Sequence, residues 1–228
     1  HVQVRIKGFP PQTKTFASKT MAKQWAALSD HRLSLVDEQT LRDVHLPPYR
    51  AAIEAGATIV NDVSGGLADP EMLAAVAASG ADVVLQHWRG PSDDMYARAE
   101  YDDVVAELVI ELEDRVRAAA RAGISPDRVI LDPGIGFGKR GDQNWQALRG
   151  LERVVAIGPR VLVGTSRKKF LGELLAAGGA DDEARRDLAT AVTSVLAARA
   201  GAWAVRVHDA AATRDALAVA RAWERGGA

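Results

Sequence analysis

Val129-Ile130-Leu131-Asp132-Pro133-Gly134-Ile135-Gly136-Phe137-Gly138-Lys139 passes from an unbroken apolar triplet into an acid and then into three glycines. Four other stretches follow the same plan: Thr58-Ile59-Val60-Asn61-Asp62, Val83-Val84-Leu85-Gln86-His87, Val161-Leu162-Val163-Gly164-Thr165-Ser166 and Ala204-Val205-Arg206-Val207-His208-Asp209. Near-continuous Val/Ile/Leu runs of this length mark strands buried on both faces, and the stretches between them carry helical period, so the pattern predicts repeated βα units and parallel strands. In a β/α barrel the functional side chains sit at the carboxyl ends of the strands. Asn61, His87, Asp132, Ser166 with Lys168, and Arg206 with His208 all fall there, which predicts that they converge on one mouth.

The intervening signals agree. Asp69-Pro70-Glu71 reads as a helix start and Gly80 as its stop. Val104, Val105, Leu108, Val109, Leu112 and Val116 keep helical spacing over residues 102–122, and further helices are expected at about 167–177, 184–200 and 210–225. Trp145, Trp203 and Trp223 are read as core. The front of the chain differs. Residues 2–7 alternate strictly, Gly8-Phe9-Pro10-Pro11 breaks the run, and Thr13-Lys14-Thr15-Phe16 resumes it, which predicts a hairpin; Ser18 then caps a helix. Residues 29–48 show no strong period, and a short helix from Tyr49 ends at Gly56. The boundary is placed near residue 45, giving 1–45 as hairpin, helix and linker and 46–228 as the repeated part.

Composition limits the function classes. The 228 residues hold no cysteine, which excludes disulfides and thiolate metal sites and leaves cytoplasm as the expected location. Apolar runs are interrupted well short of the ~20 residues a membrane span needs. Net charge is −1, yet residues 1–32 carry six Lys/Arg against Asp30 alone. That asymmetry is read first as a solvated basic face and second as a nucleic-acid arm.

The Asp132–Lys139 loop is not a nucleotide P-loop: three residues separate Gly134 from Gly138-Lys139, and Arg140 stands where Ser or Thr is required. Arg206 and His208, two apart in a strand, share a face and suit a phosphate or diphosphate. Ser166-Arg167-Lys168 follows Gly164 at a strand-to-helix junction, where Lys168 could hold an anion or a polar ring edge. Arg167 and Lys169 are read as a solvated basic turn, Asp62 as a cap and His87 as a rim histidine satisfied by backbone. No set of acids and histidines reads as a metal site, so no protein metal ligand is assigned.

Together, Ile59 to Ser64, Asp132 to Lys139, Val163-Gly164-Thr165-Ser166-Arg167-Lys168 and Arg206-Val207-His208-Asp209 resemble dihydropteroate synthase over about residues 49–225. The resemblance implies a (β/α)8 TIM-type barrel that condenses 6-hydroxymethyl-7,8-dihydropterin diphosphate with p-aminobenzoate, a cytoplasmic folate-pathway transferase and sulfonamide target. It implies that Asn61 and Asp132 bind the pterin edge and that Lys168 reaches the ring carbonyl and N5 region. Arg206 with His208 would hold the diphosphate and Phe137 and Ser166 would border p-aminobenzoate, with Gly164 and Val207 also among the substrate-binding residues; Lys168, Arg206 and His208 are the catalytic candidates. It further implies Mg2+ on the diphosphate and a possible homodimer through the late helices.

Five units of about 34 residues occupy 57–228, whereas eight would need roughly 275 residues. The barrel is therefore expected to be incomplete, its last five units preceded by a hairpin and helix. The family's Mg2+-binding asparagine loop, its flexible Gly/Ser/Thr/Arg loop and its Ile-Asp-Thr strand end are not found, which predicts impaired turnover and two unpaired sheet edges. Residues 2–28 faintly resemble the amino-terminal arm of phage-type tyrosine recombinases, so an inactive pterin-binding remnant on a DNA-binding arm is one alternative. A pterin-dependent methyltransferase is another.

Overall fold

Five parallel strands stand side by side in the order of the sequence. A computed structural model of the chain describes residues 2–4, 12–14, 56–90, 96–179 and 182–225. Strands β1 (Val2–Val4) and β2 (Gln12–Lys14) pair antiparallel, Val2 opposite Lys14, as the alternating front of the chain predicts. The expected helix after Ser18, the linker, the helix from Tyr49 and the boundary near residue 45 lie outside the described residues.

The parallel sheet comprises β3 (Ile59–Asp62), β4 (Asp82–Gln86), β5 (Val129–Asp132), β6 (Arg160–Val163) and β7 (Ala204–Val205), hydrogen-bonded in that order. Sequential order without reversal is the topology of a barrel wall; a doubly wound sheet would reverse at a switch point. Register aligns the functional ends, with Gln86 opposite Asp132. Among the described residues, no strand pairs with the outer edge of β3 or β7. The described residues thus form five strands of a barrel wall, a half-barrel in agreement with the five βα units read from the sequence.

Helices cover one face: α1 (Met72–Ser79), α2 (Val104–Arg121), α3 (Asp142–Arg149), α4 (Leu151–Val155), α5 (Lys169–Ala177), α6 (Glu183–Arg199) and α7 (Ala210–Glu224). The core lies between helices and sheet, where Val83, Leu85, Val129, Leu131, Val161 and Val163 meet Met72, Leu108, Leu112, Leu151 and Leu171. Leu108 and Leu112 are wholly buried; truncating either to Ala would cost about 2–5 kcal/mol. Val84 and Ile130 are buried on the other face of the strands, outside this cluster, where Gln86 and Asp132 also point by the two-residue period.

Among the described helices, three are capped at the start by an aspartate side chain. Asp103 accepts from Val105 N and Ala106 N at 2.9 Å each, Asp182 from Arg185 N, and Asp209 from Ala212 N. Asp69 accepts from Glu71 N one turn before α1, so that helix starts later than its proline suggests.

Two sequence expectations need correction. Trp145 packs edge-on against Phe170 beside the core, but Trp203 is half exposed and Trp223 is 81% exposed. The periodicity of α7 is real; its Val219 and Trp223 stripe faces outward, not into the core. Strand β7 is only two residues long, so Arg206 and His208 follow the strand and do not lie within it. Arg206 N still donates to Val163 O at 2.9 Å, and His208 N donates to Ser166 Oγ at 3.0 Å, which extends the edge toward the mouth.

Candidate active site

Arg206 joins strand ends from opposite sides of the sheet. Its Nη1 donates to Asn61 Oδ1 at 3.1 Å, and its Nη2 lies 2.9 Å from Asp132 Oδ2. Asn61 is the penultimate residue of β3, Asp132 ends β5 and Arg206 follows β7, so residues up to 145 positions apart meet at one mouth. Asp132 is buried. Its Oδ1 accepts from Gly134 N at 2.8 Å, while Oδ2 meets the guanidinium as a charge contact without an aligned N–H. Gly164 makes the approach possible: a Cβ there would stand 2.8 Å from Arg206 Nη2.

Lys168 closes the cluster from β6. Its ammonium donates to Ile135 O and lies 4.6 Å from the Phe137 ring centroid, a cation–π contact. Burial lowers the Lys168 pKa to about 8, Asp132 working to raise it and Arg206 to lower it further. Ser166 Oγ lies 2.7 Å from His208 Nδ1, so the two are mutually oriented at the exposed rim. Val207 is half-buried beside them. Asn61, Asp132, Phe137, Gly164, Lys168 and Arg206 are thus brought together directly, and Ser166 and His208 form an adjoining pair.

Beneath this cluster lies a network that the sequence did not reveal. Lys139 is 1% exposed, with Nζ 3.0 Å from His87 Nδ1, 3.2 Å from Gly134 O and 3.3 Å from Phe137 O. A donating Lys139 makes Nδ1 the acceptor and assigns the ring proton to Nε2, which faces Glu111 Oε2 at 2.9 Å without an aligned N–H. Arg89 pairs with Glu107 and Glu111 and stacks 3.7 Å over the Tyr101 ring; Tyr101 Oη donates to Gly138 O at 2.7 Å. Burial and the charge of Lys139 push His87 down to about 4, against the pull of Glu111. Burial lowers Lys139 to about 7, partly opposed by Asp132. Burial would raise Glu111, but its bonds to His87 and Arg89 outweigh that and hold it at about 2. His87 is therefore a buried residue held between the Lys139 and Glu111 side chains, its Nε2 meeting Glu111 as a charge contact without an aligned N–H, and is not a rim histidine satisfied by backbone. The signal available in sequence was a lysine closing a glycine loop beside a strand-end histidine.

Other residues are structural. Asp62 accepts from Ser64 N, Ser64 Oγ and Gly66 N, the capping role expected of it. Arg167, at φ +55°, is fastened to Asp187 through two bonds of 2.7 Å and to Glu183, so it ties α6 to the Ser166 turn and is not merely solvated. A hollow of about 310 Å³, partly open solvent, lies between His87 and α2, on the helix side and away from the strand-end cluster. No group of three His, Cys, Asp or Glu among the described residues could hold a metal ion. No helix among them is long and apolar enough to cross a membrane.

A carboxylate, an amide, an ammonium and a guanidinium around one mouth can recognise a heterocycle with adjacent N–H donors and hold an anionic tail. Comparisons with known proteins agree. The family model for pterin binding enzymes matches residues 45–208. Dihydropteroate synthase of Mycobacterium leprae is 51% identical over 183 residues, covering 78% of this chain and 64% of the relative. The solved structure of dihydropteroate synthase from Xanthomonas albilineans in complex with 7,8-dihydropteroate superposes with a TM-score of 0.69 at 43% identity, covering 77% of this chain and 63% of that one. That of the Thermus thermophilus enzyme in complex with 4-aminobenzoate gives 0.72 at 41%, covering 78% and 71%. The chain spans less than two thirds of the length of the Mycobacterium leprae relative.

Proposed function

The chain belongs to the pterin-binding enzyme family, and on that footing we propose that its strand-end cluster binds 6-hydroxymethyl-7,8-dihydropterin diphosphate and joins it to p-aminobenzoate. The observation that carries this reading is the meeting of Asn61, Asp132, Lys168 and Arg206 at one mouth. Asp132 and Asn61 take the amino and amide edge of the pterin, and Lys168 reaches the ring carbonyl and N5. Phe137 and Ser166 border p-aminobenzoate. The amine nitrogen attacks the exocyclic methylene, the bond from that carbon to the diphosphate oxygen breaks, and the amine proton passes to solvent. Diphosphate leaves with the bonding pair, and Arg206 and His208 stabilise its growing charge.

The described residues do not fit a protein-held Mg2+. Both Asp132 oxygens are engaged, and Lys168 and Arg206 make the surroundings cationic. The ion implied by the family is accordingly assigned to the diphosphate, and no step is routed through it. A cytoplasmic location accompanies this reading.

The test is a coupled assay of the chain with pterin diphosphate, p-aminobenzoate and Mg2+. Binding of pterin diphosphate with turnover orders of magnitude below that of a complete barrel is expected, because the family's Mg2+-binding asparagine loop is not recognised in the sequence. Tight binding of methyltetrahydrofolate but not of pterin diphosphate would reverse the assignment toward methyl transfer. The named relatives are synthases, which disfavours that reading. The recombinase-like arm gains no support: it precedes the family match at residue 45, and most of it lies outside the described residues.

The late helices support a proposal about assembly. α6 exposes Leu188, Val192 and Leu196 four residues apart, and α7 exposes Val219 and Trp223. The two helices pack together, with Arg199 Nε bonded to Glu224 at 2.8 Å. Apolar stripes on neighbouring helices suit a second copy of the chain, and a homodimer through this face is proposed.

A further inference from the structure

Arg206 stands where the pterin edge should stand. Its guanidinium contacts the two side chains assigned to ring recognition, Asn61 Oδ1 at 3.1 Å and Asp132 Oδ2 at 2.9 Å. It lies against Gly164, where a Cβ would come within 3.2 Å of Cζ. A guanidinium and a 2-aminopyrimidinone edge offer the same pattern, coplanar N–H donors on one carbon. Asp132 Oδ1 is committed to Gly134 N, so Oδ2 can serve only one of them well. The present contact lacks an aligned N–H, which makes Arg206 an imperfect occupant that a better-fitting edge can displace.

We propose that Arg206 occupies the ring-recognition nook and thereby selects the diphosphorylated pterin over the bare alcohol. The proposal rests on the function proposed above. An entering ring must turn the guanidinium out beside Lys168, and a displaced cation there needs an anion. The diphosphate tail supplies one, and the long arginine side chain can follow it. A bare 6-hydroxymethyl-dihydropterin displaces the same guanidinium and gives it nothing. Discrimination then arises from competition within the site as well as from attraction to the tail.

The experiment is calorimetric titration of the full chain, as wild type, Arg206→Ala and Arg206→Lys, with 6-hydroxymethyl-7,8-dihydropterin and with its diphosphate; circular dichroism verifies folding. A crossed pattern is expected. Arg206→Ala binds the bare pterin about tenfold tighter than wild type and the diphosphate at least about tenfold more weakly, the scale of one charge-assisted hydrogen bond. Arg206→Lys, which keeps the charge but lacks the planar fork, also gains affinity for the bare pterin and retains more of the diphosphate grip. Bare pterin bound equally or more weakly by both variants, with wild type binding both ligands, overturns the proposal and leaves the functional reading intact. No pterin binding by any of the three removes the ring site itself, and both readings fall together.

Discussion

Lys139 Nζ and His87 Nδ1 lie 3.0 Å apart in an enclosure with almost no solvent contact, linking the glycine loop after β5 to the end of β4. The same ammonium holds the carbonyls of Gly134 and Phe137, so this one side chain fixes the loop that presents Phe137 and the Ile135 carbonyl to Lys168. Replacing Lys139 by Met preserves length and removes the donor, leaving buried acceptors unsatisfied at about 1–3 kcal/mol. The expected result is lower stability in denaturant titration and weaker binding of p-aminobenzoate than of the pterin, because Phe137 moves while Asp132 keeps its place on the strand. Equal weakening of both ligands would contradict this.

Acid should weaken the same network. His87 has its folded pKa depressed from 6.5 to about 4, so between those values the unfolded chain binds more protons and stability falls as pH drops. The depression corresponds to about 3 kcal/mol. Glu111, lowered from 4.5 to about 2, adds a second loss as pH falls from 4.5 toward 2. His87→Gln removes the upper window and narrows the lower one, because the bond to His87 is one of the two contacts that hold Glu111 low. Denaturation midpoints measured from pH 7 to 3 check this: an unchanged slope between 6.5 and 4 in the variant would show that His87 does not titrate as described.

Lys168 gives the site an alkaline limb. With a folded pKa of about 8, it is cationic below that value and neutral above it, so the grip on an anionic tail should decline as pH rises through 8. Asp132 works to raise that pKa, and Asp132→Asn should therefore move the decline to lower pH as well as weaken pterin recognition. Titrating pterin diphosphate binding against pH for wild type and variant measures both effects. A variant limb at higher pH would carry the wrong sign.

How much of this was readable in the chain depends on the distance over which each relation acts. Strand ends were legible because an apolar run ending in Asn61, Asp132 or Arg206 is a local signal, and the barrel rule then places those ends together. The extent of β7 was not, since a two-residue edge strand is defined by its partner at Leu162 and Val163 rather than by its own residues. Lys139 and His87 are 52 positions apart, and no spacing rule joins them. Trp223, expected in the core, is exposed for a related reason: helical spacing places it on one face with Val219 but does not say what that face meets.

Gly136 tests how tightly the loop fits the lysine. It adopts φ +79°, and a Cβ there would stand 2.7 Å from Lys168 Cδ. Gly136→Ala combines a left-handed backbone strain of roughly 1–2 kcal/mol with displacement of the lysine stem. Pterin diphosphate affinity should fall, and the thermal midpoint should drop by several degrees. Wild-type affinity together with a lowered midpoint would show that Lys168 accommodates the methyl group and that its position is not critical.

Leu188, Val192 and Leu196 on α6, with Val219 and Trp223 on α7, expose large apolar side chains on two helices that pack together. Two explanations compete: a face that meets a second copy of the chain, or a monomer that tolerates the exposure. Val192→Lys and Trp223→Lys separate them, because a charge is almost harmless on a solvated helix face but costly when buried unpaired in an interface. A dimer requires wild type to sediment at twice the chain mass and both variants to dissociate, with loss of a central aromatic costing about 2 kcal/mol or more. It also requires the wild-type thermal midpoint to rise with concentration while those of the variants do not. Monomeric wild type at all concentrations would assign the stripe to exposure alone.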